Sequence, residues 1–257
     1  MQSIKLFFIL SLAQMFCLYP NLNQAINWPV DPLIKKNITE KEEDFFLQHR
    51  PIIISLGDSC QPAINLTWNK LRFMAYPFDW AVTRFDDLYD IIQTDFNNCK
   101  EQEYYSLAWD PETKNIRPTN KYYPNLQFPH AKWDNLVVDL NRRIERFYKT
   151  IKYAEKHNKK ISFIIHSNLF KDDSIKIKAQ SLNDLLSNKF PKLNFILIVM
   201  HHADIPNNFK NDKSIFCRLN HLGWDQQSYA EWKNIFLEIG LINTNANNDS
   251  IAEHPFQ

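Results

Sequence analysis

Three short apolar runs stand out along the chain: Ile52-Ile53-Ile54-Ser55-Leu56, Ile161-Ser162-Phe163-Ile164-Ile165 and Phe195-Ile196-Leu197-Ile198-Val199-Met200. Each is rich in branched or aromatic residues and apolar on both faces, which predicts strands covered on both sides, as in a parallel sheet. Elsewhere apolar positions step by three and four. Leu136, Val137, Leu140, Ile144, Phe147 and Ile151 predict a long helix that Asp134 can cap, with Arg142, Arg143, Glu145 and Lys149 on its solvated face. Shorter patterns of the same period predict helices over 61–74, 84–96, 174–188 and 226–240. Strand, helix, strand, helix, strand, helix is the order of an α/β fold, a three-layer, mostly parallel sheet flanked by helices. Residues 99–133 break both periods with Pro111, Pro118, Pro124, Pro129 and many aromatics. They predict an irregular, aromatic-rich insertion of loops or a small hairpin.

The ends of the chain read differently. Lys5, an apolar stretch from Leu6 to Tyr19 and a polar segment ending at Ala25 have the shape of a secretory signal peptide over 1–25. A buried N-terminal helix is the alternative. The apolar part is shorter than the ~20 residues a spanning helix needs, so no stable membrane span is expected after cleavage. Cleavage implies a secreted, periplasmic or envelope location; retention of the segment implies the cytoplasm. Residues 26–50 read as a linker or short surface helix, 51–242 as a single α/β domain and 243–257 as a polar tail.

Composition narrows the function. A chain of 257 residues that is 44% hydrophobic can bury a sizeable core. Thirty basic against twenty-nine acidic residues, a formal charge of +1, give no bulk attraction for nucleic acid. Removal of Cys17 with the signal segment leaves Cys60, Cys99 and Cys217, an odd number: either Cys99 pairs with Cys217 and Cys60 is free, or all three are reduced. No Cys/His spacing suggests a zinc site, and no cofactor is implied. His201, His202 and Asp204 could be imagined around a metal, but adjacent histidines on extended backbone point to opposite sides.

Chemistry-bearing residues follow each predicted strand, where open α/β sheets form their ligand crevice. Gly57, one of only three glycines, is followed by Asp58-Ser59-Cys60; the second strand runs into His166 and the third into His201-His202. Cys60 is either a nucleophile favoured by a helix start or a small core residue. Ser59 is a turn residue or cap, or the nucleophile of a GDS block like that of the GDSL/SGNH esterases. That family's Asp-x-x-His has no match here, since Asp249 to His254 is spaced too widely. His130, His166, His201 and His202 are candidate bases. Asp79, between Phe78 and Trp80, either orients a base or pairs with an arginine. Asp58, Ser59, Trp80 and His166 are the expected substrate contacts.

SLGDSCQPA (55–63), YPFDW (76–80), FPHAKW (128–133), NRRIERF (141–147), ISFIIHS (161–167) and LIVMHH (197–202) resemble, in that order, the landmarks of a largely bacterial family labelled papain-like cysteine peptidases. The resemblance spans roughly residues 51 to 240, a length fit for one domain. It implies Cys60 as the family's cysteine, Asp79 and Trp80 as its aspartate-tryptophan pair, His130 as its histidine and His202 as its final landmark. Ala131 stands where that family usually has Asp. The implied activity is a hydrolase or acyl transferase acting on a peptide, ester or glycan-type substrate. Cys60 would attack, His130 or His202 would move the proton, Asp79 would orient the base, and N–H groups of the Cys60 helix would hold the oxyanion. The alternative is a non-catalytic carbohydrate- or protein-binding module that presents Tyr104, Tyr105, Trp109, Tyr122 and Tyr123.

Overall fold

The computed structural model describes residues 38–242 apart from 58, 111–114, 168–173, 203–208, 212 and 222–225. The signal-peptide and tail readings, and Asp58 and Asp204, lie outside the described residues.

The three apolar runs form β1 (Ile52–Ser55), β4 (Ile161–Ser167) and β5 (Phe195–His201), joined in parallel register through Ile54↔Phe163 and Phe163↔Leu197. Two further strands were not legible in the sequence. β6 (Phe209–Asn211) and β7 (Ser214–Arg218) complete a sheet of order β1-β4-β5-β7-β6, with β7 parallel to β5 and β6 antiparallel at the edge. Ile215-Phe216-Cys217 is too short an apolar run to announce a strand by period. It becomes one because β5 and β6 bond it on both sides.

Alternation along the strands divides the core into two layers. Ile52, Ile54, Phe163, Leu197 and Phe216 face one layer; Ile53, Ile164, Ile198, Met200 and Cys217 face the other. Six helices cover these faces: α1 (Glu40–His49), α2 (Gln61–Trp68), α3 (Phe85–Gln93), α4 (Leu136–His157), α5 (Ser174–Lys189) and α6 (Gln226–Glu238). Leu88, Leu140, Phe147 and Leu182 of α3, α4 and α5 fill the first layer, and Leu66, Trp232 and Phe236 of α2 and α6 the second. The fold is the expected α/β arrangement, with four parallel strands at its centre. Cys99 lies in the first layer and Cys217 in the second, so the sheet separates them, and all three described cysteines are free thiols.

Some local expectations need correction. The helix predicted over 61–74 stops at Trp68, because Lys70 turns left-handed (φ 56°) and the N–H groups of Leu71 and Arg72 both close on the Leu66 carbonyl. Asn135, not Asp134, precedes α4, and it makes no side-chain cap; Asp134 sits in the 3-10 turn Trp133–Asn135. Arg143 is buried rather than solvated, since the turn carrying Asp79 lies over it.

Within 26–50, α1 is a helix set by a capping box: the Glu42 N–H donates to Thr39 Oγ1 and the Thr39 N–H to the Glu42 carboxylate. Its Leu47 is fully buried, and Glu43 meets Arg146 at 3.2 Å and Lys149 at 3.0 Å on α4. The aromatic-rich insertion forms the hairpin β2 (Tyr105–Asp110) and β3 (Asn115–Asn120), which bridges Thr119↔Gln127↔Val82 to the body.

Candidate active site at the strand ends

The β1 strand leaves the sheet through Gly57, whose φ of +89° is one that side-chain-bearing residues rarely adopt. A Cβ there would also stand 3.2 Å from Thr83 Oγ1. This turn delivers Ser59 and Cys60, both half-buried, to the start of α2.

Ser59 Oγ accepts the Gln61 N–H (3.3 Å) and lies 3.1 Å from His166 Nδ1 at the end of β4. His166 is fully buried, edge-on to Trp232 of α6. Its Nε2 is 3.2 Å from Nε2 of His202, the residue just past β5. His202 Nδ1 bonds the Leu219 carbonyl at 2.8 Å, just past β7. A single polar chain thus joins the carboxyl ends of all four parallel strands. Glu231 of α6 braces its far end, its carboxylate accepting from Asn220 N (2.8 Å), Asn220 Nδ2 (2.7 Å) and His221 N (3.1 Å).

Protonation within the chain follows from its terminus. A carbonyl only accepts, so His202 Nδ1 carries the hydrogen given to Leu219. A neutral His202 then offers a lone pair on Nε2, His166 donates from Nε2, and His166 Nδ1 accepts from the Ser59 hydroxyl. Both rings favour the neutral form. Burial, then the nearby His202 and His201, push the His166 pKa down to about 3. Burial also lowers the pKa of His202, against the opposing pull of the Leu219 carbonyl and the Glu231 charge.

Cys60 packs against the cluster of Ala63, Ile64 and Trp80. Burial pushes its thiol up to about 12, only partly offset by its own backbone N–H and the Arg117 charge. The expectation that the helix start would favour a thiolate does not hold at rest, and the reason is local. Of the first N–H groups of α2, that of Gln61 is engaged by Ser59 and Pro62 has none, which also thins the expected oxyanion donors. Among the described residues no histidine nitrogen hydrogen-bonds the sulfur. His130 stands exposed, edge-on to Trp80 with ring centres 5.5 Å apart. Though the residue is exposed, the protein around its ring desolvates it in part, and this and then Arg117 lower its pKa, so one cation on β3 acts on both Cys60 and His130.

The Asp79 carboxylate faces Arg72 rather than an imidazole. Its Oδ2 accepts from Arg72 Nε at 3.0 Å and from the Tyr76 N–H at 2.7 Å, with Arg72 Nη2 at ion-pair distance, 2.9 Å. Arg143 Nη1 donates to the Asp79 carbonyl and Arg146 Nη1 to that of Ala75. Arg143 and Arg146 of NRRIERF therefore clamp the YPFDW turn, in which Trp80 is held left-handed at φ 64° beneath Arg72. The positions brought together are Ser59, His166 and His202 in one group and Cys60, Trp80 and His130 in another, with Asp79 behind Trp80. Sequence reasoning missed Leu219, which acts through its carbonyl, and Glu231, which reads as an ordinary helix acid. Neither carries a local signal. Among the described residues no His/Cys/Asp/Glu group could hold a metal ion.

Comparison with protein families matches residues 51–204, more than half of the chain, to the family described as "Putative papain-like cysteine peptidase". No curated protein and no solved structure matches.

Proposed function

The chain belongs to that papain-like cysteine peptidase family, and on this premise we propose that it is a peptide hydrolase or acyl transferase with Cys60 as nucleophile. One observation carries the proposal: Cys60 alone of the three described cysteines is partly exposed, and it stands at the strand ends, whereas Cys99 and Cys217 are buried in the core. With the thiol protonated at rest, attack has to be concerted with proton removal. Cys60 Sγ bonds to the substrate carbonyl carbon as its proton passes to His130, which neighbours the same Trp80. His130 then gives the proton to the leaving amine, and water releases the acyl group from sulfur. The signal-peptide pattern at 1–25 supports an exported location for this reaction.

The test combines alkylation with turnover. Iodoacetamide is expected to label Cys60 first, at a rate still climbing above pH 9, and Cys60→Ala is expected to abolish processing of a peptide library. Equal processing by the wild type and this variant removes Cys60 as nucleophile.

A second reading, with Ser59 as the attacking group, is favoured by the 3.1 Å bond to His166. A fluorophosphonate adduct mapped to Ser59 in the Cys60→Ala protein would establish it.

A further inference from the structure

We propose that Ser59, His166 and His202 form a directional proton relay, which carries the serine proton from the reacting end of the site to His202, where Glu231 of α6 offsets the charge. It rests on Ser59 acting as a nucleophile. The direction is imposed by the Leu219 carbonyl, which as a pure acceptor aligns every donor in the chain toward itself.

As Ser59 Oγ bonds to an acyl carbon, its proton moves to His166 Nδ1 and the hydrogen on His166 Nε2 moves to His202 Nε2. His166 ends neutral in the opposite tautomer, His202 ends as imidazolium, and Nδ1 of His202 still donates to Leu219. The leaving group recovers a proton from His166 Nδ1 as the shifts reverse, so one proton enters, one leaves and no further reactant is needed.

Burial decides where the charge rests. His166 is sealed beneath Trp232, and a cation there would lose its hydration without a counter-ion. His202 is half-buried and feels the Glu231 carboxylate. Among the described residues, the titratable groups near His202 are His166 on β4, His201 beside it on β5, Glu231 on α6, and His221 in the β7–α6 loop, whose ring lies 3.3 Å from Glu231. Glu231 is a positioning residue, since it bonds Asn220 and His221 and so fixes the loop that presents the Leu219 carbonyl.

Ring-nitrogen NMR on the 15N-labelled full chain at pH 7.5 is expected to find hydrogen on Nε2 alone in His166 and on Nδ1 alone in His202. Hydrogen on Nδ1 of His166 overturns the relay, because that ring would then donate to Ser59. The rate of fluorophosphonate addition to Ser59 is expected to rise with pH as His202 loses its proton, with a midpoint that Glu231→Gln moves to lower pH. His202→Gln is expected to slow the addition about tenfold or more and to erase the midpoint. An unmoved midpoint in Glu231→Gln overturns His202 as the destination. No adduct at any pH, beside the expected tautomers, retires Ser59 as nucleophile and the transfer step with it, leaving the chain as a structural tie.

Discussion

At the scale of single residues, the strand ends separate two kinds of polar group. His166 is kept neutral by burial, so the unfolded chain binds a proton that the folded chain refuses. Its folded pKa lies below the unfolded one, and stability is therefore expected to fall as pH drops below about 6.5, reaching a loss of about 2 kcal/mol by pH 5 from this group alone. Urea unfolding at pH 7.5 and 5.0 measures it, and His166→Asn is expected to flatten the difference. Cys60 is held neutral by the same burial, a thiol raised by apolar neighbours, and in the proposed reaction it attacks only as His130 takes its proton. Residue types named both as candidates; only their surroundings show that burial keeps each in its neutral form, lowering one pKa and raising the other.

At the scale of elements, the turn carrying Asp79 and Trp80 holds the site in place. A left-handed tryptophan is strained backbone, and it persists because Arg72, Arg143 and Arg146 bond the turn from two sides. Asp79→Ala would leave Arg72 buried without its carboxylate, and a loss of about 3–5 kcal/mol in unfolding free energy is expected by denaturant titration. A loss below about 1 kcal/mol would show the clamp to be dispensable. The two landmarks that meet here lie more than sixty residues apart, as the contact between Arg143 and the Asp79 carbonyl shows. Helical period alone put Arg143 in water, because a period locates a face and not what another segment lays over it.

At the scale of the whole molecule, the sheet is both scaffold and partition. It places Cys99 and Cys217 in opposite layers, so differential alkylation of the unreduced, unfolded protein is expected to find both as thiols, and a reducing agent is expected to leave the unfolding temperature unchanged. A mass shift on reduction at either residue would contradict this layering. The sequence by itself determined the buried strands β1, β4 and β5, the long helix α4 and the α/β order, because short apolar runs and three-to-four spacing are local consequences of strand and helix geometry. It also put Ser59, Cys60, His166 and His202 at the strand ends, since each follows or closes one of the apolar runs. Only the tertiary structure decided that β7 lies between β5 and β6, that His166 meets Ser59 while His130 rests on Trp80, and that a carbonyl beyond β7 sets the proton order. Those outcomes depend on contacts between distant segments and on the burial they create, and no local pattern of side chains records either.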